Sequence, residues 1–170
     1  KTSRVFEVAR AYRFKKGSGM PISIPVIDMV EIGAGGGSLA HVDSMHQIRV
    51  GPESAGSEPG PACYGRGGTR PAVTDADLVL GKLDADNFAG GTIKLDTTSA
   101  GHALQTVLGK TLGMDAQEAA FGLAEVVDEN MANAARVHAV ENGEDLAEYT
   151  MIAFGGAAPL HAGRLCEKLG

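Results

Sequence analysis

Four glycines in Gly33–Ser38 follow an apolar run and would expose several backbone N–H groups around one concave turn. That geometry binds an oxyanion. The same composition also suits a crossing where two backbones pack closely. The segment has no lysine, so it is not a GxxxxGK[ST] phosphate loop; the stretch after it reads as strand, which excludes a dinucleotide fingerprint. Asp28 and Glu31 precede the turn, and their odd spacing in an extended strand sends them to opposite faces. Cys63 is a candidate nucleophile or metal ligand, with Arg66 nearby to favour the thiolate, against the commoner inert cysteine. Thr74, Asp75 and Asp77 form an acidic group, of which helix capping explains at least two members. Gly155 and Gly156 lie between an apolar run and a helix, where they allow a sharp turn and close approach to a planar or anionic ligand, or make a plain strand-to-helix connection. His161 at the start of that helix faces either a ligand or the surface. His41, His46, His102 and His138 have no metal-ligand spacing with one another, and His138 on an apolar stripe reads as a hydrogen-bonded core histidine.

The elements that must position these residues alternate between strand and helix. Ser3 to Phe14 reads as a strand, and Ile22 to Ile32 as a nearly continuous β-branched run suited to a strand buried on both faces. Leu39 to Asp43 and Gln47 to Val50 form two short strands joined at Ser44-Met45-His46. Residues 51–71 hold six glycines and four prolines, too many for helix or central strand. A stretch of this kind is usually functional or a linker. Thr74 is placed as the N-cap of a helix over Ala76 to Leu83, with Asp77 in the capping-box position. Thr92 to Leu95 is a short strand and Ser99 to Leu112 a helix. Asp115 with Glu118 opens the longest helix, to about Asn142, whose inner stripe is Ala119, Leu123, Val127, Met131, Ala134 and His138. Gly143 suits its C′ position. Tyr149 to Phe154 reads as a buried strand and Pro159 to Leu169 as a final helix. This order indicates an α/β fold with a mixed sheet covered by helices. It falls into strands and a glycine-rich turn over 1–50, a Gly/Pro loop over 51–71, and helices with short strands over 72–170.

Composition narrows the function classes. The 170 residues suit one domain and carry a formal net charge of −6, so no bulk electrostatic attraction to nucleic acid or an anionic membrane is expected. No apolar run reaches membrane-spanning length and no secretory signal opens the chain, so a cytoplasmic protein is expected. Cys63 and Cys166, without CxxC spacing, are two reduced thiols or one disulfide.

Several motifs together resemble one family. Glu31-Ile32-Gly33-Ala34-Gly35-Gly36-Gly37-Ser38-Leu39-Ala40, Val50-Gly51-Pro52-Glu53-Ser54-Ala55-Gly56 and Pro59-Gly60-Pro61-Ala62-Cys63-Tyr64-Gly65-Arg66-Gly67-Gly68 come first. Thr74-Asp75-Ala76-Asp77-Leu78-Val79-Leu80-Gly81 and Phe154-Gly155-Gly156-Ala157-Ala158-Pro159-Leu160-His161-Ala162 follow in the same order. The set is similar to the hydantoinase A/oxoprolinase family over the whole chain. Many members carry a His where Val30 stands and a Gly where Ala158 stands.

The resemblance implies an actin-like ATPase fold of the sugar kinase and Hsp70 type, of which this chain is the nucleotide-side part. It implies that the chain is an internal fragment beginning after two upstream phosphate-binding hairpins, and inactive by itself. Activity in the whole protein is then ATP-dependent hydrolysis of a cyclic amide such as a hydantoin, an N-methylhydantoin or 5-oxoproline. The cofactors implied are ATP and Mg, and the partner a hydantoinase B-type subunit or domain in an oligomer. Gly155, Gly156, Ala157 and Pro159 become the adenosine-side turn, and Gly35, Gly36, Gly37 and Ser38 the holders of phosphate or phosphorylated substrate. Asp28, Glu31, Cys63 and Asp75 become candidates for general base or ligand roles. Two other readings stand beside this one: a subunit of an acetone- or acetophenone-type carboxylase, and a non-catalytic module that binds a partner through the Gly/Pro loop.

Overall fold

The computed structural model describes residues 2–3, 26–27 and 29–170, which fall into two compact units, Lys1–Glu31 and Ile32–Gly170. In the first, strand β1 (Thr2–Ser3) pairs antiparallel with β2 (Val26–Ile27), with Thr2 opposite Ile27 and Ser3 opposite Val26. The rest of the two strands expected before residue 28 lies outside the described residues, as does Asp28. Where Ile22 to Ile32 is described it is not buried on both faces: Ile27, Met29 and Val30 are exposed, and the strand is two residues long.

The second unit begins at the glycine-rich turn. Strands β3 (Ser38–Val42) and β4 (Ile48–Ser54) form the expected antiparallel hairpin, with Ala40 opposite Val50, Val42 opposite Ile48, and a register shift between Ser38 and Ala40. Its turn is fixed by Asp43, whose carboxylate accepts from the amides of Met45 and Gln47, both at 2.9 Å. Residues 55–72 then cross to helix α1 (Val73–Val79), through a short 3-10 turn at Ala62–Tyr64. Helix α2 (Thr97–Leu104) runs on through a π turn at Gln105–Gly109 into α3 (Lys110–Leu112). Gly109 permits that turn: a Cβ there would stand 2.6 Å from the Met114 carbonyl oxygen. Helix α4 (Ala116–Glu141) is the long element, and α5 (Ala158–Leu169) packs against it.

The expected capping box at Asp115 is present. Its carboxylate accepts from the Gln117 and Glu118 amides at 2.9 and 2.8 Å, while Glu118 accepts from the Asp115 amide at 2.8 Å. Gly143 ends the helix with φ 66°, in the left-handed region that favours glycine. One face of α4 closes the main core, where Ala119, Ala120, Leu123 and Val127 meet Val73 and Ala76 of α1 and Leu104 and Leu108 of the α2 region. The alanines let the helices approach closely, and Gly122 lets α4 approach the hairpin: a Cβ there would sit 3.0 Å from Ile48 Cδ1. A smaller core joins Cys63, Leu78, Leu95 and Ala100. Among the described residues no helix is long and apolar enough to cross a membrane.

Two expected elements and one expected core residue differ. Thr92 to Leu95 is not a strand; a single bridge pairs Phe88 with Ile93. Tyr149 to Phe154 is neither a strand nor buried, because no strand lies beside it among the described residues: Ile152 and Phe154 are 81% and 83% exposed. His138 is half-buried rather than a core residue. The mixed sheet reduces, among the described residues, to two small antiparallel pairs.

Asp115→Ala removes the acceptor for two otherwise orphaned amides, and it is expected to cost about 1 kcal/mol. The check is chemical denaturation together with faster hydrogen exchange confined to the first turn of α4.

Candidate functional site

The predicted N-cap at Thr74 is displaced by a different construction. The helix begins at Val73, and Asp75 occupies its third position, accepting from the Ala72 amide at 2.8 Å. The same carboxylate accepts from the Ala62 amide at 3.1 Å and the Cys63 amide at 2.7 Å, while its residue is fully buried. One buried charge thus satisfies three backbone donors and ties the Gly/Pro loop to α1. Beyond it, the Cys63 carbonyl accepts from the Asp96 amide at 2.8 Å. Asp96 in turn caps α2 through Thr98 and Ser99.

Cys63 is therefore a packed residue. It is fully buried, and burial first, then the neighbouring Asp75 carboxylate, pushes its thiol pKa far upward. Arg66 does not activate it; the guanidinium donates to the Ser57 carbonyl at 3.3 Å and lies 5.8 Å from the Tyr64 ring centroid. This geometry favours the inert reading of Cys63 over the nucleophile, since burial and Asp75 raise its thiol pKa, and Asp75, a candidate general base or ligand, spends its carboxylate on three amides. Both cysteines are free, Cys63 buried and Cys166 exposed. Glu31 is exposed in the first unit.

Thr74, relieved of capping, serves the glycine-rich turn. Its amide and its hydroxyl both donate to the Gly36 carbonyl at 2.8 Å, and the Ala55 amide donates to the Gly37 carbonyl at 2.8 Å. Within the turn Ser38 N–H donates to the Gly35 carbonyl and Gly35 N–H to Ser38 Oγ, both at 2.9 Å. A Cβ at Gly36 would stand 2.8 Å from Thr74 Oγ1, and one at Gly37 2.9 Å from Ser54 Oγ. Close backbone approach is therefore one reason for these two glycines.

The hypothetical Gly36 Cβ also lies 3.9 Å from Ala157 Cβ. The fold thus brings together two segments that stand apart in the chain, Gly35–Ser38 and Gly155–Ala157. A Cβ at Gly35, Gly155 or Gly156 would meet no atom within 4 Å, and Gly155 has φ 97°. The second turn presents bare backbone to open space beside the first, a surface that a flat ligand can approach.

What holds the second turn there was not read from the sequence. His161, in the first turn of α5, is 1% exposed and lies between two buried carboxylates, Asp77 of α1 and Asp128 of α4. Its Nδ1 is 2.7 Å from Asp128 Oδ1, and its Nε2 3.3 Å from Asp77 Oδ2. Lys82 Nζ lies 3.2 Å from Asp77 Oδ1. The contact with Asp77 holds the imidazole pKa above its ordinary value, against the opposing effect of burial. Asp77 was expected as a capping residue and His161 as a ligand-facing or surface residue; each is instead one half of a buried ion pair. The available signal was a spacing of two between Asp75 and Asp77 in a short helix, which cannot both be capping positions. Farther along α5, Arg164 binds Glu125 at 2.7 Å, and Lys168 binds Glu125 and Glu129, both at 3.1 Å. Among the described residues no group of three or more His, Cys, Asp or Glu is arranged to hold a metal ion by protein side chains alone.

The chain matches the family model described as hydantoinase/oxoprolinase over residues 2–170. It is 42% identical to the caprolactamase subunit alpha of Pseudomonas jessenii, over 88% of this chain and 21% of that protein. It is also 42% identical to the acetophenone carboxylase gamma subunit of Aromatoleum aromaticum, over 82% of this chain and 19% of that one. The crystal structure of the ATP-dependent caprolactamase from Pseudomonas jessenii superposes with a TM-score of 0.80 at 41% identity, covering 88% of this chain and 22% of that one. The chain spans about a fifth of the length of these relatives.

Asp75→Ala strands three buried amides and is expected to lower stability by about 3 kcal/mol or more. Thiol labelling followed by peptide mapping checks its local effect. Cys63 stays unmodified in the native wild type and becomes modified in the variant under native conditions.

Proposed function

The chain belongs to the hydantoinase/oxoprolinase family, and from that premise we propose that it is part of an ATP-dependent cyclic amidase, contributing the adenosine-side turn and an anion-binding turn. The observation that carries this reading is the convergence of Gly36 and Ala157. Gly155, Gly156, Ala157 and Pro159 would hold the nucleoside side. The amides of Gly36 and Gly37 would face a phosphate or the phosphorylated substrate, since those of Gly35 and Ser38 are committed inside the turn. When bound, ATP would supply a phosphoryl group to the amide oxygen; water would then add to the activated carbon, the C–N bond would break with the nitrogen leaving as the protonated amine, and the acyl phosphate left behind would be hydrolysed by a second water to carboxylate and phosphate. Such chemistry rests on positioning and charge stabilisation, and that is what two rigid backbone turns contribute. Turnover is assigned to the full-length protein with a hydantoinase B-type partner, in an actin-like ATPase architecture in the cytoplasm. The 170 residues alone are not expected to hydrolyse ATP.

A second reading, a subunit of an ATP-dependent carboxylase, is favoured by the similarity to the acetophenone carboxylase gamma subunit. The two separate on substrate. A cyclic amidase opens caprolactam, a hydantoin or 5-oxoproline in an ATP-dependent reaction that needs no bicarbonate, whereas a carboxylase consumes ketone only with bicarbonate present.

Gly36→Val tests the turn in the full-length enzyme with its partner. The new side chain collides with Thr74 and displaces the turn, with an expected loss on the order of 100-fold in kcat/KM. Thr74→Ser, which keeps the hydroxyl, is expected to retain near wild-type turnover. Wild-type turnover by Gly36→Val would remove the turn from the active site.

A further inference from the structure

Helix α5 carries the Gly155–Ala157 turn at its N-terminal end, and several side-chain contacts hold the helix to its neighbours, among them Arg136 of α4, which donates to the Lys168 carbonyl at 2.7 Å. Arg164 and Lys168 attach it to Glu125 and Glu129 of α4, at a part-exposed surface. Surface pairs of this kind contribute little to orientation. The buried attachment is His161, one turn from Ala157, and it reaches two elements at once. Asp77 follows Thr74 in the same short helix, and Thr74 bonds the Gly36 carbonyl. Gly36, Thr74, Asp77, His161 and Ala157 therefore form a closed circuit: one turn is fixed to α1 through Thr74, and the other to α1 through His161.

Charge counting sets the state of the circuit. The groups facing His161 are Asp77 and Lys82 from α1 and the turn after it, and Asp128 from α4. Two carboxylates and one ammonium face the imidazole, and an imidazolium there balances the charge of the cluster. With neutral histidine, a buried pair of carboxylates would share a single cation, which is costly in a low-dielectric interior. The contact between Nε2 and Asp77 is long, and neither His161 Nε2 nor Asp77 Oδ1 has a well-aligned hydrogen-bond partner. The attraction there is mainly between charges and lapses when the proton leaves.

We infer that His161 is a positioning residue for nucleotide binding: as an imidazolium clamped between Asp77 and Asp128, it holds the Gly155–Ala157 turn against the Gly36 turn. This rests on the reading of Gly155–Pro159 as the nucleotide-side turn. The sign of the pH dependence follows. Because folding raises the histidine pKa, the clamp is fully present below the ordinary value of about 6.5 and is lost as pH rises through the raised value. Nucleotide affinity should weaken in the same window. Amide affinity is expected to change less, since the Gly36 turn is held to α1 through Thr74 and not through His161.

The test uses the full-length protein with its partner. ATP binding is measured by calorimetry, and KM for ATP and for the cyclic amide separately, from about pH 6 to pH 9. His161→Gln is expected to raise Kd and KM for ATP about tenfold near pH 6.5. Amide KM stays within about twofold, and the pH dependence of ATP binding disappears. Asp128→Asn keeps an acceptor for Nδ1 but removes one charge; it should weaken ATP binding less and shift the wild-type midpoint to lower pH. If His161→Gln does not fold, the midpoint in Asp128→Asn decides, and an unmoved midpoint overturns the inference. ATP binding equal to wild type in both variants sinks the inference alone. A wild-type protein that binds no ATP sinks the nucleotide reading and the inference with it.

Discussion

A single carboxylate, that of Asp75, decides where a tenth of this molecule's backbone goes. Strand β4 runs on through Ser54, but residues 55–71 are too rich in glycine and proline to form a regular strand or long helix, and left alone such a loop would remain an ensemble. Three amides drawn from the loop and the helix start converge on the one buried acceptor. The penalty of burying the charge is offset only because all three donors are supplied. Once the loop is fixed, the Ala72 backbone lies beside Leu39 in the hairpin, the Pro71 carbonyl accepts from Ala40, and Cys63 reaches Asp96 at the start of α2. Hairpin, loop and two helices are registered by that one group.

The functional geometry is a consequence of this packing. With α1 fixed, Thr74 presents both its amide and its hydroxyl to the Gly36 carbonyl, and the absence of a side chain at Gly36 is what lets them close to 2.8 Å. The same bare position lets Ala157 approach from the far end of the chain. Two turns more than a hundred residues apart come to share one edge, and each shows backbone rather than side chains there. A catalytic carboxylate or thiol is not what this arrangement offers; it offers oriented peptide groups held by a buried charge network.

Much of the local structure was legible because its signals are local. The Asp115–Glu118 box, the left-handed Gly143, the Ser44-Met45-His46 turn and the stripe of α4 depend on residues within a few positions of one another. Residue type was less informative where two neighbours compete for one job. Asp75 and Asp77 both resemble capping residues, and only the loop packed on α1 shows that Asp75 takes the amides while Asp77 turns inward to His161. Tyr149 to Phe154 reads as a buried strand yet is exposed, because an apolar run specifies a preference for a partner and not the partner's presence. The alternatives open at Cys63, reactive or inert, divide for a related reason. Arg66 is near it in sequence, but Asp75 is near it in space and pushes the thiol the other way.

The claim at the centre of this account is that the Gly35–Ser38 and Gly155–Ala157 turns are two sides of one nucleotide and phosphate site. Hydrogen exchange on the full-length protein, with and without ATP, addresses it directly. Slowed exchange in peptides covering both 33–38 and 154–159, with little change at 116–130, is the result expected. ATP bound with protection elsewhere and none in either turn would contradict it.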